Sequence, residues 1–167
     1  TPRSSSAASD VYKRQLKPSN VLFDQYGDAF LADFGIVHVT SSTNALTASG
    51  SLVGTPTYMS PEQVYGDKKL DGRSDIYALG VILFQMLTGS TPYDADTPAR
   101  MMMKHVMDPV PEILTVRPDL PPACNEIINK AMAKERDERF SSATDLSSAL
   151  TAVTEKGLEK PTMERLE

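Results

Sequence analysis

The chain has 167 residues, of which 40% are hydrophobic and 23% charged, the balance of an ordinary globular protein of about one domain rather than a disordered or fibrous one. Its 17 Lys and Arg against 22 Asp and Glu leave a net charge of −5, which argues against a face that tracks a phosphate backbone, so no nucleic-acid partner is expected. The single cysteine, Cys124, excludes an internal disulfide, no Cys/His spacing offers a zinc framework, and no apolar run reaches the roughly 18 residues of a membrane span, so a cytoplasmic setting is expected.

Thr1–Gln15 is polar and rich in Ser and Ala, without the apolar stretch of a secretory signal. Its Ser5–Gln15 portion corresponds residue for residue to one reading frame of a transposase sequencing adapter, so residues 1–15 are expected to be a non-native or disordered leader. Val21-Leu22-Phe23 and Ala29-Phe30-Leu31 flank the turn-forming Asp24-Gln25-Tyr26-Gly27-Asp28 and predict a small β-hairpin. From Thr40 to Gly54 the Ser, Thr, Ala and Gly content predicts a long loop. Ser74 is the expected cap of a helix running to Leu87, apolar nearly all round and therefore central and buried, which Gly89 and Pro92 end.

Thr97-Pro98 predicts the start of another helix through Met107. A third is marked by Ile127, Ile128, Ala131 and Met132. A fourth has a capping-box-like start at Ser142 and Asp145, with Leu146, Leu150 and Val153 on one face. Met101-Met102-Met103 reads as adaptable packing, Lys104-His105 as a solvated helix face, and Cys124 as a small apolar residue. The expected fold is mainly α with one small β-hairpin, occupying residues 16–153, and residues 154–167 form a charged tail or linker.

Leu16-Lys17-Pro18-Ser19-Asn20, followed after twelve residues by Asp33-Phe34-Gly35, sets a cation and two oxygen donors at the ends of the hairpin. Phosphoryl transfer needs such a set, a cation against the transferred phosphate and hard oxygen ligands for Mg²⁺. Further along come Gly54-Thr55-Pro56-Thr57-Tyr58-Met59-Ser60-Pro61-Glu62, then Asp71-Gly72-Arg73-Ser74-Asp75-Ile76-Tyr77-Ala78-Leu79-Gly80, then Asp137-Glu138-Arg139-Phe140. In this order the motifs resemble the C-terminal lobe of eukaryotic-like protein kinases, in the serine/threonine branch common in bacteria, from Leu16 to about Val153.

The resemblance implies the α+β protein-kinase fold and a role for each matching residue. Lys17 would contact the γ-phosphate and the substrate hydroxyl, Asn20 would ligate one Mg²⁺, and Asp33 would ligate the metal bridging the phosphates of ATP. Thr55 would orient the catalytic loop and favour Ser/Thr substrates in proteins. Glu62, in a Ser60-Pro61-Glu62 that stands for the usual Ala-Pro-Glu, would pair with Arg139, and Asp75 would hydrogen-bond the catalytic-loop backbone. Of the loop hydroxyls Ser41, Ser42, Thr43, Thr47, Ser49 and Ser51, the candidates for activating phosphorylation by a partner kinase in trans are Thr47, Ser49 and Ser51.

Two departures from the family pattern stand out. Lys13-Arg14-Gln15 occupies the place of His-Arg-Asp, so Gln15 stands at the catalytic Asp position, where a carboxylate contributes about 10²–10⁴ in rate. Nothing upstream resembles a Gly-rich phosphate loop, a Val-Ala-Ile-Lys strand or a helix αC glutamate, so this chain is expected to lack the N-terminal lobe and the fragment alone is expected to be inactive. The resemblance therefore implies a parent enzyme that transfers the γ-phosphoryl group of ATP to protein Ser or Thr. Bacterial members often continue into a membrane span, which would anchor that parent. The alternative is a pseudokinase or protein-docking module in which Gln15 is genuine.

Overall fold

The computed structural model of the chain describes residues 16–31 and 56–158. It opens with a 3-10 turn at Pro18–Asn20, which runs directly into β1 (Val21–Phe23), paired antiparallel with β2 (Ala29–Leu31). Val21 lies opposite Leu31, Leu22 opposite Phe30 and Phe23 opposite Ala29. The connecting turn is built by Asp24, whose Oδ1 accepts from the backbone N–H of Tyr26 at 2.8 Å and of Asp28 at 2.9 Å. Gly27 follows at φ 88°, a conformation that suits a residue without a Cβ.

Beyond a second 3-10 turn, Pro56–Tyr58, come α1 (Pro61–Tyr65), α2 (Arg73–Thr88), α3 (Pro98–Met107), α4 (Ile113–Val116), α5 (Pro122–Ala131) and α6 (Ala143–Leu158), with a third 3-10 turn at Arg136–Glu138. Helix α2 is the centre. Ile76, Tyr77, Ala78, Val81, Ile82 and Phe84 are all buried, so it shows no single apolar stripe, as a helix covered on every side should not. One core joins its Tyr77, Val81 and Phe84 to Tyr58, Tyr93, Ile113, Ile128 and Met132. A second joins Ile76 to Ile127, Ala131, Phe140 and Leu146. Leu83 packs against both.

Several expected boundaries coincide with the observed ones. Thr97 caps α3 through a hydrogen bond from the Arg100 N–H to its side-chain oxygen at 3.2 Å, with Pro98 in the first turn. Gly89 ends α2 at φ 80°, its N–H donating to the Gln85 carbonyl at 2.8 Å. Ser142 Oγ accepts from the Asp145 N–H at 3.1 Å at the start of α6.

The start of α2 differs from the expectation. Its N-cap is Gly72, not Ser74. The capping acceptor is Asp71, whose Oδ1 takes the Arg73 N–H at 2.9 Å, while Ser74 lies inside the first turn and points into the core. Helix α4 had no periodic signal, because four residues span barely one turn. It is held from outside, with the Ile113 N–H donating to Asn125 Oδ1 at 3.0 Å and Asn125 Nδ2 donating to Glu112 at 2.6 Å. Among the described residues, no helix is long and apolar enough to cross a membrane.

Candidate active site

Lys17 and Asn20 flank the first 3-10 turn, which closes with the Asn20 N–H donating to the Lys17 carbonyl at 3.0 Å. Pro18 in its first position supplies a φ suited to the turn and lacks an N–H that would go unpaired there. Both side chains are half-buried, and β1 begins at the next residue, so the turn sits at the end of the hairpin where Val21 meets Leu31. The Asn20 amide oxygen is a hard neutral donor of the kind Mg²⁺ accepts, and the Lys17 ammonium suits a phosphate. Gln15, Asp33, Thr55, Thr47, Ser49 and Ser51 lie outside the described residues.

Glu62 and Arg139, 77 positions apart, meet in the interior as a bidentate pair, Nη1 donating to Oε1 at 2.6 Å and Nη2 to Oε2 at 2.8 Å. Their side chains are 7% and 0% exposed. Ser74 adds a third arm, its hydroxyl donating to Glu62 Oε1 at 2.6 Å. The remaining guanidinium donors go to backbone carbonyls: Nε to Ala133 at 2.8 Å, Nη1 to Arg73 at 3.0 Å and Nη2 to Lys134 at 3.0 Å. All five N–H groups of Arg139 are thereby used, and the guanidinium also lies over the Tyr77 ring, 5.0 Å from its centroid. Burial alone would raise the Glu62 pKa, but the hydrogen bonds from Arg139 and Ser74 outweigh it and hold the carboxyl at about 2. The arrangement ties α1, the start of α2 and the segment after α5 into one joint.

Helix α1 is oriented by Ser60, whose N–H donates to Gln63 Oε1 at 2.9 Å, and by Pro61 in its first turn. Just before it, the Pro56–Tyr58 turn is fastened to α2 by the Tyr58 hydroxyl, which donates to Gln85 at 2.8 Å. Helix α3 packs against the same turn. Here the expectation of a solvated Lys104-His105 face is corrected for His105, which is fully buried with Nδ1 3.0 Å from the Tyr77 hydroxyl. Burial, with the nearby charge of Lys134, pushes its pKa down to about 4. Lys134 in turn donates to the Tyr93 hydroxyl at 2.9 Å and to the His105 carbonyl at 2.8 Å; burial lowers its own pKa to about 8.

Asp75 is exposed in the first turn of α2, and its expected partner, the backbone preceding Leu16, lies outside the described residues. Sequence reasoning missed Ser74 as a partner of Glu62, the Tyr58–Gln85 tie and the Tyr77–His105–Tyr93–Lys134 cluster. One signal was available: a Ser, a Tyr and a Gln within a helix expected to be buried on every side must each find a polar partner.

The comparisons with known proteins agree with this architecture. The protein kinase domain family matches residues 8–152. The chain is 45% identical over 143 residues to the serine/threonine-protein kinase PknD of Mycobacterium tuberculosis, covering 85% of this chain and 21% of that protein. It is 39% identical over 142 residues to PknH of Mycobacterium bovis, covering 85% of this chain and 24% of the relative. Against the probable serine/threonine-protein kinase PknB of Lactococcus lactis it is 37% identical over 154 residues, covering 90% and 24%. The chain thus spans about a quarter or less of the length of these relatives. Matched across most of its length, and with the buried charge pair joining its motifs, the chain belongs to the protein kinase domain family.

Proposed function

We propose that this chain is the C-terminal lobe of a bacterial-type serine/threonine kinase, and that the longer protein containing it transfers the γ-phosphoryl group of ATP to Ser or Thr of protein substrates. The observation that carries this reading is the buried Glu62–Arg139 pair with Ser74 as its third member, because it braces α1, next to the Pro56–Tyr58 turn that Tyr58 fastens to Gln85, against α2 as a substrate platform. In support, β2 ends at Leu31 opposite Val21, the residue after Asn20. Asp33 follows Leu31 by two positions in the sequence.

In this reading Lys17 neutralises charge on the transferred phosphate and orients the substrate hydroxyl, while Asn20 and Asp33 offer oxygens to Mg²⁺. Bound Mg²⁺ and ATP supply the phosphoryl group and the charge neutralisation that such transfer needs. Thr55 steadies the catalytic loop, and phosphorylation of Thr47, Ser49 or Ser51 in trans orders the loop between Asp33 and Glu62. In this reading the protein works in the cytoplasm.

The test is transfer of labelled γ-phosphate to protein by the longer protein, with the 167-residue chain alone expected to transfer none. Asp33→Ala should abolish transfer, and undiminished activity in that variant would sink the enzymatic reading. Gln15 favours a second reading, a pseudokinase or docking module, which wins if the locus encodes Tyr-Lys-Arg-Gln before Leu16 and the longer protein transfers no phosphate.

A further inference from the structure

Helix α3 ends where its own backbone can no longer serve it. The Asp108 N–H donates to the Lys104 carbonyl at 3.1 Å. The next carbonyl, that of His105, would take the N–H of residue 109, which is a proline and has none. His105 is fully buried, where an unmet carbonyl is costly. The missing donor comes from Lys134, 29 positions away, whose ammonium reaches the His105 carbonyl at 2.8 Å. A second N–H of that ammonium goes to the Tyr93 hydroxyl at 2.9 Å, whose own proton is shared between the carbonyls of Asp108 and Pro109 at 3.3 Å and 3.2 Å. Three carbonyls at the end of α3 are thus held by one ammonium, directly or through Tyr93. A cation also complements the negative end of a helix, and burial lowers the Lys134 pKa only to about 8, so the charge is kept at pH 7.

Lys134 is held at its other end as well. Its carbonyl accepts from Arg139 Nη2 at 3.0 Å, and Arg139 grips Glu62 of α1 with both Nη atoms. One residue of the segment after α5 therefore meets two helices, α1 through its backbone and Arg139, and α3 through its side chain. Those two helices pack on each other, and α3 packs on the Pro56–Tyr58 turn. Tyr58 fastens that turn to α2 through Gln85, and the contact of the turn with α3 depends on where the end of α3 is held.

We propose that Lys134 is a positioning residue for the protein substrate: by closing the end of α3 with its ammonium and joining the Glu62–Arg139 pair with its carbonyl, it fixes α3 against the Pro56–Tyr58 turn and so sets peptide affinity. Its partners belong to α3, Tyr93 and Arg139, while Lys17 and Asn20 stand at the hairpin, so it acts on peptide binding and leaves phosphoryl transfer untouched. The inference rests on the kinase reading given above.

The experiment compares Lys134→Met, which keeps the apolar stem and removes the ammonium, with Tyr93→Phe, which removes the hydroxyl link, in the longer protein and with a synthetic Ser/Thr peptide. Lys134→Met should raise the peptide KM about tenfold and Tyr93→Phe about threefold, with kcat and the KM for ATP within about twofold. Leu146→Ala, a cavity in the second core, is the control for stability and should lower the melting temperature while leaving the peptide KM unchanged. A peptide KM that stays put in Tyr93→Phe, a loss confined to kcat, or an equal rise in Leu146→Ala overturns the proposal, and Tyr93→Phe decides it even if Lys134→Met fails to fold. Deuterium exchange of the same proteins needs no catalysis. The Met59 N–H closes the turn on the Pro56 carbonyl at 3.1 Å, and its exchange should quicken about tenfold in Lys134→Met but not in Leu146→Ala. Equal exchange in the two overturns the role of Lys134. A wild-type longer protein that phosphorylates nothing overturns the proposed function instead, while exchange still reads whether Lys134 holds the turn.

Discussion

Arg139 has five N–H donors and five acceptor contacts in the interior, so its removal strands the Glu62 carboxylate as well as three backbone carbonyls. Arg139→Ala should lower stability by about 3–5 kcal/mol, the cost of breaking a buried pair from one side; urea unfolding at pH 7 measures it, and a change below 1 kcal/mol would contradict the account. Acid should act through two groups in sequence. His105 sits at about 4 against an ordinary 6.5, so the unfolded chain takes its proton more readily and stability falls as pH drops from 6.5 toward 4. Glu62 sits at about 2 against an ordinary 4.5, so its contribution is complete above 4.5 and lost as pH falls toward 2. Melting temperature against pH should therefore decline below 6.5 and more steeply below 4.5, with His105→Phe removing the upper part of the decline.

At the scale of elements, the close crossing of α2 and α5 depends on Gly80. A Cβ built there would lie 2.7 Å from Met132 Cγ and 3.0 Å from Ala131 Cβ, and both neighbours are fully buried. Helix propensity alone would favour alanine by about 1 kcal/mol, yet the overlap should reverse the sign. Gly80→Ala is expected to cost about 1–3 kcal/mol, read by thermal melting, and the penalty should shrink in a Met132→Ala background. The far end of α2 shows the same reliance on distant partners. Arg117, beyond α4, donates to the Leu87 carbonyl at 2.6 Å, satisfying a helix end that its own sequence leaves open.

Over the whole molecule, α2 links both cores through Leu83 and packs on α5, α4 and the Pro56–Tyr58 turn, so residues 56–155 should unfold as one cooperative unit. The hairpin stands apart. Apart from Val21 its strand residues are exposed, with Phe23 67% and Phe30 48% accessible, and of the residues before it Leu16 packs against the core. A two-stranded ribbon with so little covered face has marginal stability. Backbone amides of β1 and β2 should exchange with deuterium about a hundredfold or more faster than those of Val81 and Ile128. Equal protection, read by exchange mass spectrometry, would mean that the hairpin shares the core's stability.

What the amino-acid sequence determined by itself is what neighbours within about four positions decide. The hairpin ends, the Thr97-Pro98 start of α3, the Gly89 stop and the Ser142 cap follow from local sterics and local hydrogen bonds, and all were legible before any coordinate. The ordered motifs likewise made Lys17, Asn20, Glu62 and Arg139 stand out. The partners of Ser74, Tyr77 and His105 lie 12 to 28 positions away. No periodicity reports such distances, so Ser74 read as a cap and His105 as a solvated face. Only the tertiary structure, by closing α1, α3 and the segment after α5 around α2, excluded water from these groups and left each polar atom to find its partner inside the protein.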